Sequence, residues 1–176
     1  KGNTIVLDKK SDSASKAPGK IAVQIHAFYL DVLPELLDNL SKIPYKFDLY
    51  ISTNTKAKSS HIKEMLKDYK LNTNLTKVEV IENIGRDIYP FLHQLSKTYQ
   101  NYDIIGHFHT KKTLTQFYGD LWRRHIYDNL LHSTSNIKHI FTLFNDPETG
   151  LIMPTCFYAV GGGTILGVKN ADNVNN

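Results

Sequence analysis

The sequence predicts an α/β fold, a three-layer α/β/α sandwich with a mostly parallel sheet. Three observations carry that expectation. From Ile21 onward, short runs rich in β-branched and aromatic residues alternate with stretches whose apolar residues recur at three- and four-residue steps. The resulting order is strand, helix, strand, helix, strand, helix, strand, the pattern of successive βαβ units. Polar or charged residues follow the strand-like runs, and they collect at the carboxyl edge of the sheet, where ligands bind in folds of this kind.

The first strand is Ile21–Ile25, with His26 at its end. Leu30, Leu33, Leu36, Leu37 and Leu40 then make one helix face, and Pro44 closes that region. Leu33, Leu37 and Leu40 are expected against the sheet. Phe47–Ile51 is the second strand. Ser52-Thr-Asn-Thr55 can cap a helix around Ser59 to Tyr69 that turns Ile62, Met65 and Leu66 inward. Asn72 to Thr76 reads as a turn, and Val78–Ile81 as the third strand. After the polar break Glu82–Asp87, residues Ile88, Phe91, Leu92 and Leu95 mark an amphipathic helix, with Phe91, Leu92 and Leu95 expected inward. Pro90 falls in its tolerant first turn.

Ile104–His109 is the fourth strand. All four are expected to be parallel neighbours in one sheet, with the third and fourth made adjacent by the helix between them. Beyond Lys112, Phe117–Leu131 reads as a helix. Ser133-Thr-Ser135 caps another that carries Ile137, Ile140, Phe141 and Phe144. Leu151-Ile-Met153 reads as a short strand stopped by Pro154.

The chain has 176 residues, enough for one domain with a core. Residues 1–19 are expected to be a flexible N-terminal segment: Thr4–Leu7 could form an edge strand, and the Lys/Ser/Asp/Ala-rich stretch after it reads as a linker. Residues 20–176 are expected to form a single α/β domain. Because the chain starts at Lys1 without methionine and stops in a polar tail, it is expected to be a piece of something longer, truncated at its C-terminus.

Hydrophobic residues at 41% and charged residues at 22% are a soluble, globular balance. A net charge of +4 is too mild to argue for nucleic acid, but fits an anionic ligand or a position near acidic lipid. The one cysteine, Cys156, excludes an internal disulfide framework and a cysteine-built zinc site. With no apolar run of about 18 residues and no signal-peptide pattern, the expected location is cytoplasmic, at or near the inner face of the membrane.

Three groups carry the candidate chemistry. In Asn83-Ile-Gly-Arg-Asp87, Gly85 allows a tight turn, Asp87 can cap the next helix, and Arg86 is a bidentate donor suited to phosphate or carboxylate. The same residues also suit a plain βα turn in which Arg86 and Asp87 pair with each other or with neighbours. The phosphate-loop patterns GxxxxGK[ST] and GxGxxG are absent. His107 and His109 lie two apart on a strand, so both face one side. They could ligate a transition metal, but no third ligand is evident nearby. A core histidine beside a rim histidine is the plainer reading.

Lys111 and Lys112 could neutralise a diphosphate at a strand's end, or simply be solvated. Trp122-Arg-Arg124 could add cations or a stacking ring, or belong to the core. His26 joins the candidates because it ends the first strand.

The segments Ile21–His26 with Tyr29-Leu-Asp31, Ile43–Ile51, Asn83-Ile-Gly-Arg-Asp-Ile88, Tyr102-Asp-Ile-Ile, His109-Thr-Lys-Lys112 and Gly150-Leu-Ile-Met-Pro154 resemble the rhamnan synthesis protein F family. The likeness spans most of Lys20 to Pro154. It implies a part in assembling bacterial cell-wall and O-antigen polysaccharide, as a rhamnosyltransferase. The arrangement is also similar to the nucleotide-sugar half of GT-A glycosyltransferases, in which an Asn-x-Gly loop precedes a helix and the next strand ends in a metal-holding Asp-x-Asp. Here His107-Phe-His109 stands at that place. Magnesium and manganese favour oxygen ligands, so no cofactor is firmly implied and a divalent metal is disfavoured.

The resemblance then implies transfer of a sugar from a nucleotide-sugar donor, dTDP-rhamnose, to a polysaccharide or lipid-linked acceptor. His26, Asn83, Gly85, Arg86, Asp87, His107, His109, Lys111 and Lys112 are expected at the donor site, and no catalytic residue is assigned. The alternative is a non-catalytic carbohydrate- or partner-binding module of a larger polysaccharide-synthesis protein.

Overall fold

The computed structural model describes residues 19–110, 112 and 118–157. The Thr4–Leu7 strand, residues 1–18 of the N-terminal segment and Lys111 lie outside the described residues. Among those described, four strands form one parallel sheet: β1 (Ile21–His26), β2 (Phe47–Thr53), β3 (Thr73–Val80) and β4 (Ile104–His109). Their spatial order is β3-β2-β1-β4. The parallel α/β expectation holds, with one correction: β3 and β4 are not adjacent but occupy opposite edges. The crossover that joins them passes two strands.

The helices are α1 (Leu33–Leu40), α2 (Lys56–Met65), α3 (Ile88–Leu95), α4 (Gly119–Leu131) and α5 (Thr134–Leu143). Alternation along the strands sends their side chains to two different layers. Ile21, Val23, Ile25, Phe47, Leu49 and Ile51 meet Leu33, Leu36, Leu37 and Leu40 of α1, Ile62 of α2, Tyr127 and Leu131 of α4, and Ile137 and Phe141 of α5 in one buried cluster. All four α1 leucines are fully buried. Each such side chain stabilises the fold by about 1.5–3 kcal/mol relative to an exposed one. On the opposite face, Ala22, Tyr50 and Leu95 form a small cluster with Phe91, Tyr102 and Ile105.

Two of the expected helix caps form. Thr55 accepts from Lys58 N–H at 3.2 Å to cap α2, and Ser133 accepts from Asn136 N–H at 3.2 Å to cap α5. Three expectations do not hold. β3 starts at Thr73, inside the stretch read as a turn; Thr73–Lys77 is polar because it lies on an edge strand that is half solvated. Leu92 is 57% exposed, since α3 is rotated so that Gln94 points inward with Leu95. Leu151–Met153 joins no strand, and Leu151 and Met153 are exposed. Among the described residues, no helix is long and apolar enough to cross a membrane.

Candidate functional site

The strand order reverses between β1 and β4: from β1 the chain first builds toward β3, then returns to add β4 on the other side. Such a switch point leaves a crevice at the carboxyl ends of the two strands. His26 and His109, register partners at those ends, line a pocket of about 330 Å³ together with Phe28, Tyr29, Asn83, Arg86, Asp87 and Lys112.

Three loops build the pocket. After β1, the Ala27 N–H donates to Ser52 C=O at 2.8 Å and Thr53 Oγ1 donates to Ala27 C=O at 2.9 Å, which locks the turn that presents Phe28 and Tyr29. Their rings meet edge to face, with centroids 4.9 Å apart. Lys58 Nζ donates to Phe28 C=O at 2.7 Å and lies 4.3 Å from the centre of the Phe28 ring. After β4, Thr110 N–H donates to His26 C=O at 3.0 Å and Thr110 Oγ1 accepts from Tyr29 N–H at 3.0 Å, so this loop is pinned to the first.

The third loop, residues 81–87, starts beside β2, where Ile81 N–H donates to Thr53 C=O at 2.8 Å, and ends over β4. At its far end Asp87 Oδ2 lies 3.5 Å from His107 Nε2. Two consecutive residues make the turn. Gly85 has φ +62°, and a Cβ there would lie 2.6 Å from Tyr89 Cβ. Arg86 has φ +56°, a left-handed conformation that costs a non-glycine residue roughly 1–2 kcal/mol.

Arg86 is exposed, and no ion-pair partner holds it among the described residues. Lys112 is paired with the Asp31 carboxylate. Asp87 stands at the N-cap position of α3, but its side chain does not cap the helix as the sequence suggests; it is turned toward His107 instead.

The electrostatics separate the groups by role. Burial lowers the pKa of His26 below the ordinary histidine value and outweighs the nearby Asp87 carboxylate. Burial likewise lowers that of His107, against the opposing pull of Asp87. For Asp87, burial alone would raise the pKa, but its own backbone N–H and the charge that His109 and His107 carry once protonated together hold it below the usual carboxylate range. The site therefore combines a buried and a half-buried imidazole that resist protonation, an ionised carboxylate and two cationic side chains. Among the described residues, no group of three or more His, Cys, Asp or Glu side chains is arranged to hold a metal.

Of the residues singled out from the sequence, His26, Asn83, Arg86, Asp87, His109 and Lys112 line the pocket, and Gly85 shapes its loop. His107 lies just beneath Asp87, outside the lining, and Lys111 lies outside the described residues. Arg123 is not at the site: it donates to Glu35 at 2.8 Å and to Asp120 at 2.6 Å, tying α4 to α1. The sequence does not mark Phe28, Tyr29, Lys58 or Asp31 as site residues. Phe28, two residues past the end of β1, could have been found from its position alone; the contacts of Lys58 and Asp31 form only in three dimensions.

The profile of the rhamnan synthesis protein F family matches residues 3–174. The chain belongs to this family. The family is named for rhamnan, and so polysaccharide, synthesis. Two proteins called uncharacterized protein WxcX, from Xanthomonas campestris pv. campestris strains B100 and ATCC 33913, are each 33% identical to it over 158 residues. The match covers 84% of this chain and 22% of theirs, so this member of the family spans about a fifth of the length of those relatives. No solved structure matches it significantly.

Proposed function

We propose that this domain binds the activated donor, a nucleotide sugar, for a glycosyltransferase that extends a bacterial cell-surface polysaccharide. The observation that carries the reading is the switch-point pocket, which Arg86 and Lys112 line together with the Phe28 and Tyr29 rings. A diphosphate concentrates negative charge that fixed cations can offset without a metal. A base or sugar ring has flat or apolar surface that aromatic side chains accept. The family's name supports polysaccharide as the product, and dTDP-rhamnose is the donor proposed, delivered on the cytoplasmic side of the membrane. Transfer to a polysaccharide or lipid-linked acceptor is proposed for the longer protein, because this chain covers only 22% of its relatives.

In this reading Arg86 presents its guanidinium to the phosphates, and its left-handed backbone aims it there. Lys112 exchanges its Asp31 contact for a phosphate oxygen. A hydrogen bond to a charged group is worth about 1.5–3 kcal/mol, so losing one should weaken binding by about tenfold to a hundredfold. The test is isothermal titration of dTDP-rhamnose into the wild type and into Arg86→Ala, Lys111→Ala and Lys112→Ala, each with manganese and with a chelator. Binding that persists in chelator and weakens in Arg86→Ala is expected. Absence of binding by the wild type, or equal affinity in all variants, defeats the reading and favours a binding module for another partner. Binding abolished by the chelator replaces the cation clamp with a metal.

A further inference from the structure

We infer that a chain of hydrogen bonds from Glu79 through the buried Gln94 and Gln24 fixes His107 in its Nδ1–H tautomer, leaving an unprotonated Nε2 beside Asp87. The chain crosses the α3 face of the sheet. Gln94 Nε2 donates to Glu79 Oε2 at 2.9 Å and to the Ile51 carbonyl at 3.3 Å. Neither partner can donate: a backbone carbonyl has no proton, and Glu79 is held ionised. Burial of Glu79 acts against ionisation, but hydrogen bonds from Lys77 and Gln94 and the Lys77 charge outweigh it. The amide nitrogen of Gln94 must therefore face these two groups.

That choice leaves Gln94 Oε1 facing Gln24, whose Nε2 donates to it at 3.0 Å and to Ser52 Oγ at 3.1 Å. With Gln24 reversed, two amide oxygens would confront each other in a buried site. Gln24 Oε1 is thus left for His107, and at 2.7 Å it can only accept, so His107 Nδ1 carries the proton. The amide orientations and the ring tautomer follow from acceptor-only groups at the far end of the chain.

The remaining nitrogen of His107 faces an unusual neighbour. Nε2 is buried and makes no hydrogen bond among the described residues, and the closest charged group is the Asp87 carboxylate at 3.5 Å. A buried polar atom without a partner calls for an explanation. Two acceptors held side by side accommodate one donor between them, such as a hydroxyl of a bound ligand or a single proton. The Phe91 ring, with its centroid 4.6 Å from that of His107, keeps the imidazole from swinging away. Gln24 and Gln94 are then positioning residues, acting on the site through His107. This assignment holds whether or not the ligand is a nucleotide sugar.

The experiment is long-range ¹⁵N–¹H NMR of the labelled chain at about pH 8, above the usual histidine range. The His107 signals are assigned by their loss in His107→Asn. The wild type should show one neutral ring, protonated on Nδ1, the less common tautomer of free histidine. Gln94→Met removes the amide that orients Gln24 and should yield a mixture of tautomers with a substantial Nε2–H fraction. Glu79→Gln should shift the balance the same way but less, because the Ile51 carbonyl still orients Gln94. A proton on Nε2 of wild-type His107 overturns the inference without recourse to any variant. An unchanged single tautomer in Gln94→Met overturns the role of the chain.

Discussion

On one face of the sheet, Ile21, Val23, Ile25, Phe47, Leu49 and Ile51 meet the leucines of α1 and the apolar stripes of α4 and α5. On the other, the same strands turn Gln24, His26, Tyr50, Ser52 and His107 toward α3 and the pocket. The first face is stabilised by area, which is non-directional and insensitive to the order in which side chains meet. The second depends on orientation. Tyr50 O–H donates to Tyr102 Oη at 2.8 Å, Tyr102 O–H donates to Asp48 at 2.7 Å, and Gln24 has a partner at each atom of its amide. Period-two alternation lets one set of strands do both: the core can be dense while the site remains polar.

The largest expected effect tests the apolar face. Leu37→Ala should cost about 2–5 kcal/mol of unfolding free energy, because the side chain is fully buried among other leucines. A loss below about 1 kcal/mol in chemical denaturation would mean that the core tolerates a gap there.

Gly85→Ala probes the geometric side. The positive φ and the approach to Tyr89 should together cost about 1–3 kcal/mol and displace Arg86, so affinity for the proposed donor should fall with stability. Unchanged melting and binding would show that the loop can turn by another route.

Acidification should distinguish the faces without any mutation. His26 and His107 have folded pKa values below their unfolded ones, so between about pH 7 and 5 the unfolded chain binds more protons. Stability should therefore fall as pH drops through the unfolded value near 6.5. Asp87 and Glu79, with depressed folded values, add stability that is present above about pH 4 and is lost below it as pH falls through their folded values. His26→Gln should flatten the upper part of the profile in thermal melts. A wild-type melt that does not change between pH 7 and 5 would mean that the folded site accepts those protons.

The smallest effect is expected at Leu92→Ala, within about 0.5 kcal/mol, because that side chain is 57% exposed. A large loss there would place α3 in a different rotation and draw its surface into the core.

What the sequence made legible follows the same division. The apolar runs of β1, β2 and β4 are visible because burial requires them, and their observed limits differ from the expected ones by a residue or two. The first half of β3 is not legible because Thr73–Lys77, pairing only with β2 at the sheet edge, has no need of an apolar pattern. The inward face of α3 is not legible at Leu92 because one of its buried positions is taken by Gln94, which stays inside by hydrogen bonding, a property that hydrophobic periodicity does not register. The candidate site shows the same limit. Position at a strand end pointed to His26, His109 and Arg86, whereas the contact of Lys112 with Asp31 and the chain through Gln24 depend on which strands become neighbours.

The 81–87 loop has a mechanical consequence. It begins at the β3 edge and ends over β4, a crossing of three interstrand spacings, or about 14 Å. Fully stretched, a chain of that length reaches about 23 Å, and the reversal at Gly85 and Arg86 takes up part of the difference. Even one residue shorter, the loop would reach about 20 Å and still span the gap. What the segment has to preserve is its shape: two consecutive left-handed residues fold the spare length away and set where Asp87 arrives over β4.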